Sequence, residues 1–285
     1  MSNISLTASM RSNLLSLQNT QKLMDQTQER LSTGNKVNSA IDNPSSYYTA
    51  QSLNNRASDL SALLDSMGQA IQTIKAADEG IKAITEFAEQ AKAVAQSASD
   101  TSDKTERANY QAQFNAILGQ IDDLAEDSGY KGVNLLNGDD LTVKFNEKGS
   151  SSLLISGESA LTTDDDGLNV DEATDWATAT GDVSTSAEIE SQNTAISNSI
   201  KAVETAIGKL RTWASKFGNN YSIVQSREAF TENLINVLTE GADKLTLADM
   251  NEESANMLAL QTRQQLAINS LSLASQAAQS VLKLF

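Results

Sequence analysis

The sequence has no cysteine and no histidine, and only one of its 285 residues is a proline. Without cysteine there can be no disulfide and no thiol nucleophile, and without histidine the commonest proton shuttle and a main ligand of transition metals are missing. Aromatic residues make up 5% of the chain, which is typical of long helices and coiled coils rather than of a compact enzyme. No convergent set of polar residues compensates for these absences. We therefore expect no catalytic residue, no cofactor and no metal.

The charge balance argues against two further classes of partner. With 21 basic and 37 acidic residues the formal net charge is −16, and this sign opposes binding to nucleic acid and to anionic lipid. Residues 264–282 carry no charge, but their many Gln, Asn and Ser side chains would be unsatisfied in a bilayer, so we expect no membrane insertion. Residues 1–30 lack the basic and apolar regions of a secretory signal, so we predict no cleaved signal peptide.

Both ends of the chain have the pattern of amphipathic helices. Near the N-terminus apolar residues recur every seven positions, and over 255–285 the apolar side chains cover more than half of the helix circumference. Such a wide apolar arc predicts burial on several sides, against other protein. The positions expected to pack between subunits are Leu6, Met10, Leu14, Leu17, Met24, Leu31, Leu266, Leu271, Leu273, Ala277, Val281, Leu284 and Phe285.

Two long stretches between these ends carry apolar residues at alternating steps of four and three, which predicts coiled-coil seams. The principal seam positions are Leu53, Leu60, Leu64, Met67, Ile71, Ile74, Ile200, Val203, Ile207, Leu210 and Phe217. Short runs at 141–145 and 153–155, separated by glycine and asparagine, predict a β-hairpin. Residues 156–187 contain few large apolar side chains, and we expect an exposed loop or a small, weakly packed insertion.

The predicted fold is therefore mainly α, a long antiparallel helical coiled-coil rod with the N- and C-terminal helices paired and a small β-hairpin-rich middle region. We expect a terminal-helix domain of residues 1–43 with 244–285, a helical rod domain of 44–138 with 188–243, and a short variable surface region of 139–187. The connector residues Gly34, Asp42 and Pro44 would separate the first helix from the second, with Gly34 as C-cap and Asn43 as N-cap. Asp103 and Glu106 have the spacing of a capping box.

Two stretches of the sequence, one near each end, resemble a known family. The N-terminal one is Leu31-Ser-Thr-Gly-Asn-Lys-Val-Asn-Ser-Ala-Ile-Asp-Asn-Pro44, followed by Leu53-Asn-Asn-Arg56. The C-terminal one is Ala255-Asn-Met-Leu-Ala-Leu-Gln261, continued by Leu271-Ser-Leu-Ala-Ser-Gln276 and Gln279-Ser-Val-Leu-Lys-Leu-Phe285. Both are similar to the terminal motifs of bacterial flagellins.

The resemblance implies a subunit that polymerises with itself into the extracellular flagellar filament and serves swimming motility. It also implies export through the flagellum without a cleaved signal peptide, and contact with an export chaperone, the filament cap and hook-junction proteins. Flagellins detected by the animal innate receptor carry an Arg-x-Arg-Glu-Leu-Ala-Val-Gln type segment. Here the matching stretch begins at Glu89 and has Lys92 where that segment has Glu, so we expect weak or absent receptor activation.

Other functions stay open at this point. A hook-filament junction protein would share the terminal helices but form a short ring, and a coiled-coil adaptor or adhesin would form a small defined oligomer. Asp164-Asp-Asp-Gly167 does not fit a calcium loop, because the first and last ligand positions would then be Thr162 and Ala173. A solvated acidic surface explains these aspartates better.

Overall fold

The computed structural model describes residues 8–164, 167–177 and 186–283. Within these residues the chain is mainly helical and contains one small sheet, as predicted. The elements in chain order are α1 (Ala8–Thr33), α2 (Pro44–Asp100), α3 (Lys104–Asp127), β1 (Leu141–Lys144), β2 (Ser152–Ile155), α4 (Ser186–Thr246) and α5 (Met250–Lys283). Over the part of the chain that the structure describes, no helix combines the length and apolar character needed to cross a lipid bilayer.

The chain divides into two compact units. Unit 1 comprises residues 1–57 and 236–285, and unit 2 comprises residues 58–235. These bounds differ from the domain division expected from the sequence, which placed the breaks at 43/44 and 243/244. That finer division, with 139–187 as a separate surface region, stays a prediction.

The helix ends follow the local signals in the sequence. Gly34 has φ +76°, and its N–H donates to the carbonyl of Arg30 at 2.8 Å, which ends α1 with a left-handed cap. The Asn43 side chain accepts from the N–H of Ser46 at 3.1 Å, so Pro44 begins α2 without losing a helical hydrogen bond.

Asp103 is the N-cap of α3, but the capping box is only half formed. The Asp103 carboxylate accepts from the N–H groups of Thr105 and Glu106. In the reverse direction Glu106 accepts from the Thr101 hydroxyl, and the Asp103 N–H donates to Thr101. The Thr101 hydroxyl thus bridges the Asp103 N–H and the Glu106 carboxylate, in place of the direct hydrogen bond between them that the spacing predicted. It can do so because a hydroxyl donates and accepts at once.

Unit 2 is built on the antiparallel packing of α2 and α4. The Lys75 ammonium lies 5.8 Å from the ring centroid of Tyr221, and Lys92 forms an ion pair with Glu204 at 2.7 Å. Along these contacts the residue numbers of α4 fall as those of α2 rise, so the two helices run in opposite directions. The fully buried side chains of this core include Met67, Ile84, Phe114, Ile121, Leu210 and Phe217.

The hairpin predicted in the middle region is confirmed. β1 and β2 pair antiparallel, with Leu141 opposite Ile155 and Lys144 opposite Ser152. Val143 and Ile155 are buried and face the core of unit 2, while Leu154 is exposed. The alternation places one face of the hairpin on the helices and the other in water.

The segment after the hairpin packs more tightly than the sequence indicated. Leu168, Val170 and Trp176 are buried, and the Trp176 ring lies 4.9 Å from that of Phe114. The expectation of an exposed or weakly packed segment is therefore wrong for residues 167–177. Its few apolar side chains suffice because they are directed at the core, whereas residues 178–185 lie outside the described part of the chain.

Polar side chains of α3 hold this segment by its backbone. Asn115 donates to the carbonyl of Ala173 at 3.0 Å and accepts from its N–H at 2.8 Å. Asp122 accepts from both the N–H and the hydroxyl of Thr162, at 2.7 and 2.9 Å. These bonds satisfy backbone groups that would otherwise be buried without partners.

Candidate functional site

The described residues offer no arrangement suited to catalysis. No group of three or more acidic side chains among residues 8–164, 167–177 and 186–283 could hold a metal ion. Asp122, one of the acidic residues that could have served an active site, is occupied with Thr162. The candidate functional features are therefore surfaces, and the most informative of these lie on α1 and α5.

Within unit 1, α1 and α5 pack against each other in antiparallel fashion. Gln264 donates to Gln21 at 2.8 Å, and Arg30 forms an ion pair with Glu253 at 2.8 Å. The fixed points of the pair are thus polar contacts between side chains. Among the described side chains of these two helices, the buried ones are Met10, Thr20, Thr27, Glu253 and Leu260.

This pairing leaves several large apolar side chains uncovered. Leu266 is 64% exposed and Leu273 is 68% exposed. Leu14 is also exposed, whereas Leu17, Met24, Leu31 and Leu271 are half-buried and Ala277 is exposed. Four of the predicted packing positions lie outside the described side chains, namely Leu6, Val281, Leu284 and Phe285.

The heptad argument missed two exposed apolar residues on α1, Leu15 and Leu23. They share no register with the predicted set, because a seven-residue repeat selects one row of a helix and leaves neighbouring rows uncounted. On α5 the exposed Leu258 and Ile268 fall within the stretch for which the wide apolar arc was predicted.

The connector after α1 is a tightly hydrogen-bonded turn. The Asp42 carboxylate accepts from the N–H groups of Asn38 and Ser39, each at 3.0 Å, and from the Ser39 hydroxyl at 3.2 Å. The bonds from the Ser39 and Asn38 backbone hold the pKa of Asp42 below its ordinary value. Ile41, at the outside of this turn, is 93% exposed.

The connector is also tied to the link between α4 and α5. The N–H groups of Lys36 and Val37 donate to the carbonyl of Thr246 at 2.7 and 3.3 Å, and the N–H of Ala248 donates to the carbonyl of Gly34 at 2.9 Å. Two chain segments more than 200 residues apart thereby form one backbone-paired junction. These bonds hold the end of α1 beside the start of α5.

The predicted seam residues lie mostly in the interior. Leu53, Leu64 and Ile200 are half-buried, and the seam positions that are buried are Leu60, Met67, Ile71, Ile74, Val203, Ile207, Leu210 and Phe217. In the segment compared with the receptor motif, Glu89 is exposed and the Lys92 ammonium is engaged with Glu204 at 2.7 Å.

Comparison with known proteins gives two family matches at the two ends of the chain. Residues 4–140 match the bacterial flagellin N-terminal helical region, and residues 200–285 match the bacterial flagellin C-terminal helical region. The residues between 140 and 200 fall in neither region. They comprise the hairpin, the packed segment after it and the beginning of α4.

Full-length relatives support the same grouping. A flagellin of Brucella melitensis is 32% identical over 276 residues, which are 95% of each chain. Flagellin FljM of Caulobacter vibrioides is 31% identical over the same length and coverage. A crystal structure of Bacillus cereus flagellin overlays on 58% of this chain and 88% of that chain, at 14% identity and a TM-score of 0.45, which is only a partial likeness.

Proposed function

This chain belongs to the bacterial flagellin family, and on that premise we propose which of its surfaces build the filament. It is a structural subunit of the extracellular bacterial flagellar filament, which serves swimming motility, and it is not an enzyme. The observation that carries the proposal is the exposure of large apolar side chains on α1 and α5 although these helices are already paired.

The terminal helices form the inter-subunit contacts. Full burial of a leucine side chain is worth about 1.5–3 kcal/mol, and Leu266 and Leu273 still expose 64% and 68% of their surface. About 1–2 kcal/mol per residue is therefore left for contacts with other copies. Several large apolar side chains exposed on one pair of helices are typical of a protein interface.

We also propose a place in the filament for the remaining domains. We assign residues 44–138 and 188–243 to the layer that surrounds the inner helices, and residues 139–187 to the solvent side. The buried seam residues, from Leu60 to Phe217, support the first assignment, because they show that the apolar faces of these helices are covered within one chain. The exposed outer face of the hairpin, with Leu154 and Lys144, supports the second.

Export and accessory partners follow from the family. We propose that the chain passes through the flagellum's own channel without a cleaved signal peptide and meets an export chaperone, the filament cap and hook-junction proteins. We also propose weak or absent activation of the animal innate receptor. The exposed Glu89 and the engaged Lys92 present a different charge pattern from the motif that the receptor detects.

A matched pair of substitutions on α5 tests the inter-subunit contact. Leu273→Lys places a charge on the exposed apolar surface, and Ser272→Lys places the same charge on the neighbouring exposed polar position. Seeds of sheared filament are added to each purified monomer, and elongation is followed by electron microscopy and light scattering. We expect the first variant not to elongate and the second to elongate as the original chain does.

Two controls separate assembly from folding: far-ultraviolet circular dichroism compares the helix content of the two variants, and tryptophan fluorescence compares the folding of unit 2. Both tryptophans, Trp176 and Trp213, are buried in unit 2, so their fluorescence should be the same in both variants. Normal filaments from Leu273→Lys would refute the assignment of this surface. Short rings or small oligomers from the unmodified chain, in the presence of competent seeds, would instead support a junction protein or a coiled-coil adaptor.

A further inference from the structure

The segment that follows the hairpin contacts both α3 and α4 of unit 2 without belonging to a helix or a strand. We call residues 161–164 and 167–177 the strap, and these residues form neither kind of element. Just before the strap, the N–H of Ala160 donates to the carbonyl of Leu136 at 2.7 Å. Ala160 is therefore fixed to the neighbouring turn, and we call it the anchor of the strap.

The two parts of the strap are hydrogen-bonded to each other. The N–H of Leu168 donates to the carbonyl of Leu161 at 3.1 Å, and the N–H of Val170 donates to the carbonyl of Thr162 at 2.8 Å. A displacement of one part would break these backbone bonds unless the other part moved with it. The strap is therefore built to move as one piece.

Three side chains of the helices hold the strap in place. Asp122 and Asn115 of α3 each make two hydrogen bonds to it, and the Lys209 ammonium of α4 donates to the carbonyl of Gly167. The strap contains four acidic residues and no lysine or arginine, so a cation from α4 is a favourable neighbour. We call these three side chains the latch.

The closed strap is imperfectly packed. An open cleft of about 350 Å³ lies between residues 171–176 and small side chains of α4 that include Ala195, Ser199 and Ala202. The indole N–H of Trp176 is buried and has no hydrogen-bond partner among the residues that the structure describes. Incomplete contact with α4 and a buried donor without an acceptor both destabilise the closed position of the strap.

We propose that the strap opens as one unit, released by the latch, while the helices of unit 2 and the anchor stay folded. Proteins open locally in cooperative units that are less stable than the whole domain, and a segment held by a few side-chain contacts has the properties of such a unit. Opening would separate Trp176 from the Phe114 ring, now 4.9 Å away, and expose apolar surface that the closed strap hides. The inference concerns the single chain and does not depend on the proposed filament function.

The absence of native cysteine permits a direct test of opening. Ala173→Cys places a thiol in the strap, Ala160→Cys places one at the anchor, and Ala125→Cys places one in α3. All three alanines are buried. The rate of labelling by a small maleimide is measured for each monomeric variant without denaturant and is divided by the rate for the same variant unfolded in urea, which corrects for the reactivity of each thiol.

We expect the corrected labelling rate at position 173 to exceed those at positions 160 and 125 by about tenfold or more, because the other two thiols are reached only when a larger part of unit 2 unfolds. Equal corrected rates at the three positions would overturn the proposal. Urea unfolding followed by tryptophan fluorescence confirms that each variant is folded before labelling.

A second substitution tests whether the strap opens as one unit. Asp122→Ala removes the latch bonds at Thr162, in the other part of the strap from the thiol at position 173. If the strap opens as one unit, labelling at position 173 should become about tenfold faster, whereas labelling at position 160 should not change. Asp123→Ala, at the exposed neighbouring carboxylate, is the matched control and should leave both rates unchanged.

A variant on the opposite helix gives an independent measurement. Lys209→Met keeps a long side chain but removes the bond to Gly167, and it too should accelerate labelling at position 173. Unchanged labelling at position 173 in both latch variants would mean that the strap frays piece by piece, and the proposal would be wrong. Equal acceleration at positions 173 and 160 would show that a larger part of unit 2 opens, which would overturn it as well.

Discussion

Gly80 is a position at which a single methyl group should destabilise unit 2. It lies inside α2, where alanine would ordinarily be the better helix former. A Cβ added at Gly80 would overlap the Ser128 hydroxyl and lie 2.7 Å from Cδ1 of Leu136. Neither neighbour is free to move, because Ser128 donates to the carbonyl of Leu124 at 2.6 Å and Leu136 is fully buried.

The expected magnitude is the difference between two opposing effects. Inserting a methyl group into a packed interior costs about 1–3 kcal/mol, and the loss of the Ser128 hydrogen bond adds about 1 kcal/mol. The better helix propensity of alanine offsets about 1 kcal/mol of this. We therefore expect Gly80→Ala to lower the free energy of unfolding of unit 2 by about 1–3 kcal/mol.

Gly119 in α3 provides the control of opposite sign. It is exposed, and a Cβ added there has no heavy atom within 4 Å. Gly119→Ala should therefore gain only the helix propensity, about 0.5–1 kcal/mol of stability. The two substitutions make the same chemical change, so their difference isolates the close approach of α2 to Ser128 and Leu136.

Tryptophan fluorescence during urea unfolding measures both variants. The chain has two tryptophans, Trp176 and Trp213, and both are buried in unit 2, so the signal reports this unit rather than the terminal helices. The midpoint should fall for Gly80→Ala and rise for Gly119→Ala, with the slope of free energy against urea unchanged. A Gly80→Ala variant as stable as the original chain would refute the packing argument.

Two further predictions concern polar contacts. Asp122→Ala should destabilise unit 2 by about 1–3 kcal/mol in the same urea experiment, because both bonds to Thr162 are lost and its buried N–H is left unsatisfied; Asp123→Ala, at the exposed neighbouring carboxylate, should have little effect. The pKa of Asp42 in the folded protein lies below its ordinary value of 3.8, because its carboxylate accepts hydrogen bonds from the Ser39 and Asn38 backbone. The contribution of these bonds to stability is therefore complete above pH 3.8 and is lost as the pH falls through the pKa of the folded state. Hydrogen exchange at the Ser39 amide should accordingly speed up at acid pH relative to an unstructured reference, and Asp42→Asn should abolish that dependence; an unchanged dependence in that variant would contradict the assignment.

The helices were predictable because their signals are local. The alternation of four and three along α2 and α4, the glycine after α1 and the asparagine before Pro44 each act within a few residues, and the structure places the helix ends where these signals occur. The packed segment after the hairpin was not predictable in this way. Asn115 and Asp122 have the appearance of solvated helix residues, since their partners Ala173 and Thr162 are 40 to 58 positions away.

The exposed surfaces of α1 and α5 were predictable in kind but not in detail. The apolar arc of α5 was too wide for one neighbour, and the structure gives it one neighbour, α1, within unit 1. The two helices are joined by polar contacts between Gln21 and Gln264 and between Arg30 and Glu253. The pairing buries Leu260 but leaves Leu266 and Leu273 exposed. The apolar side chains that stay exposed in the single subunit contribute hydrophobic stabilisation only when other copies cover them.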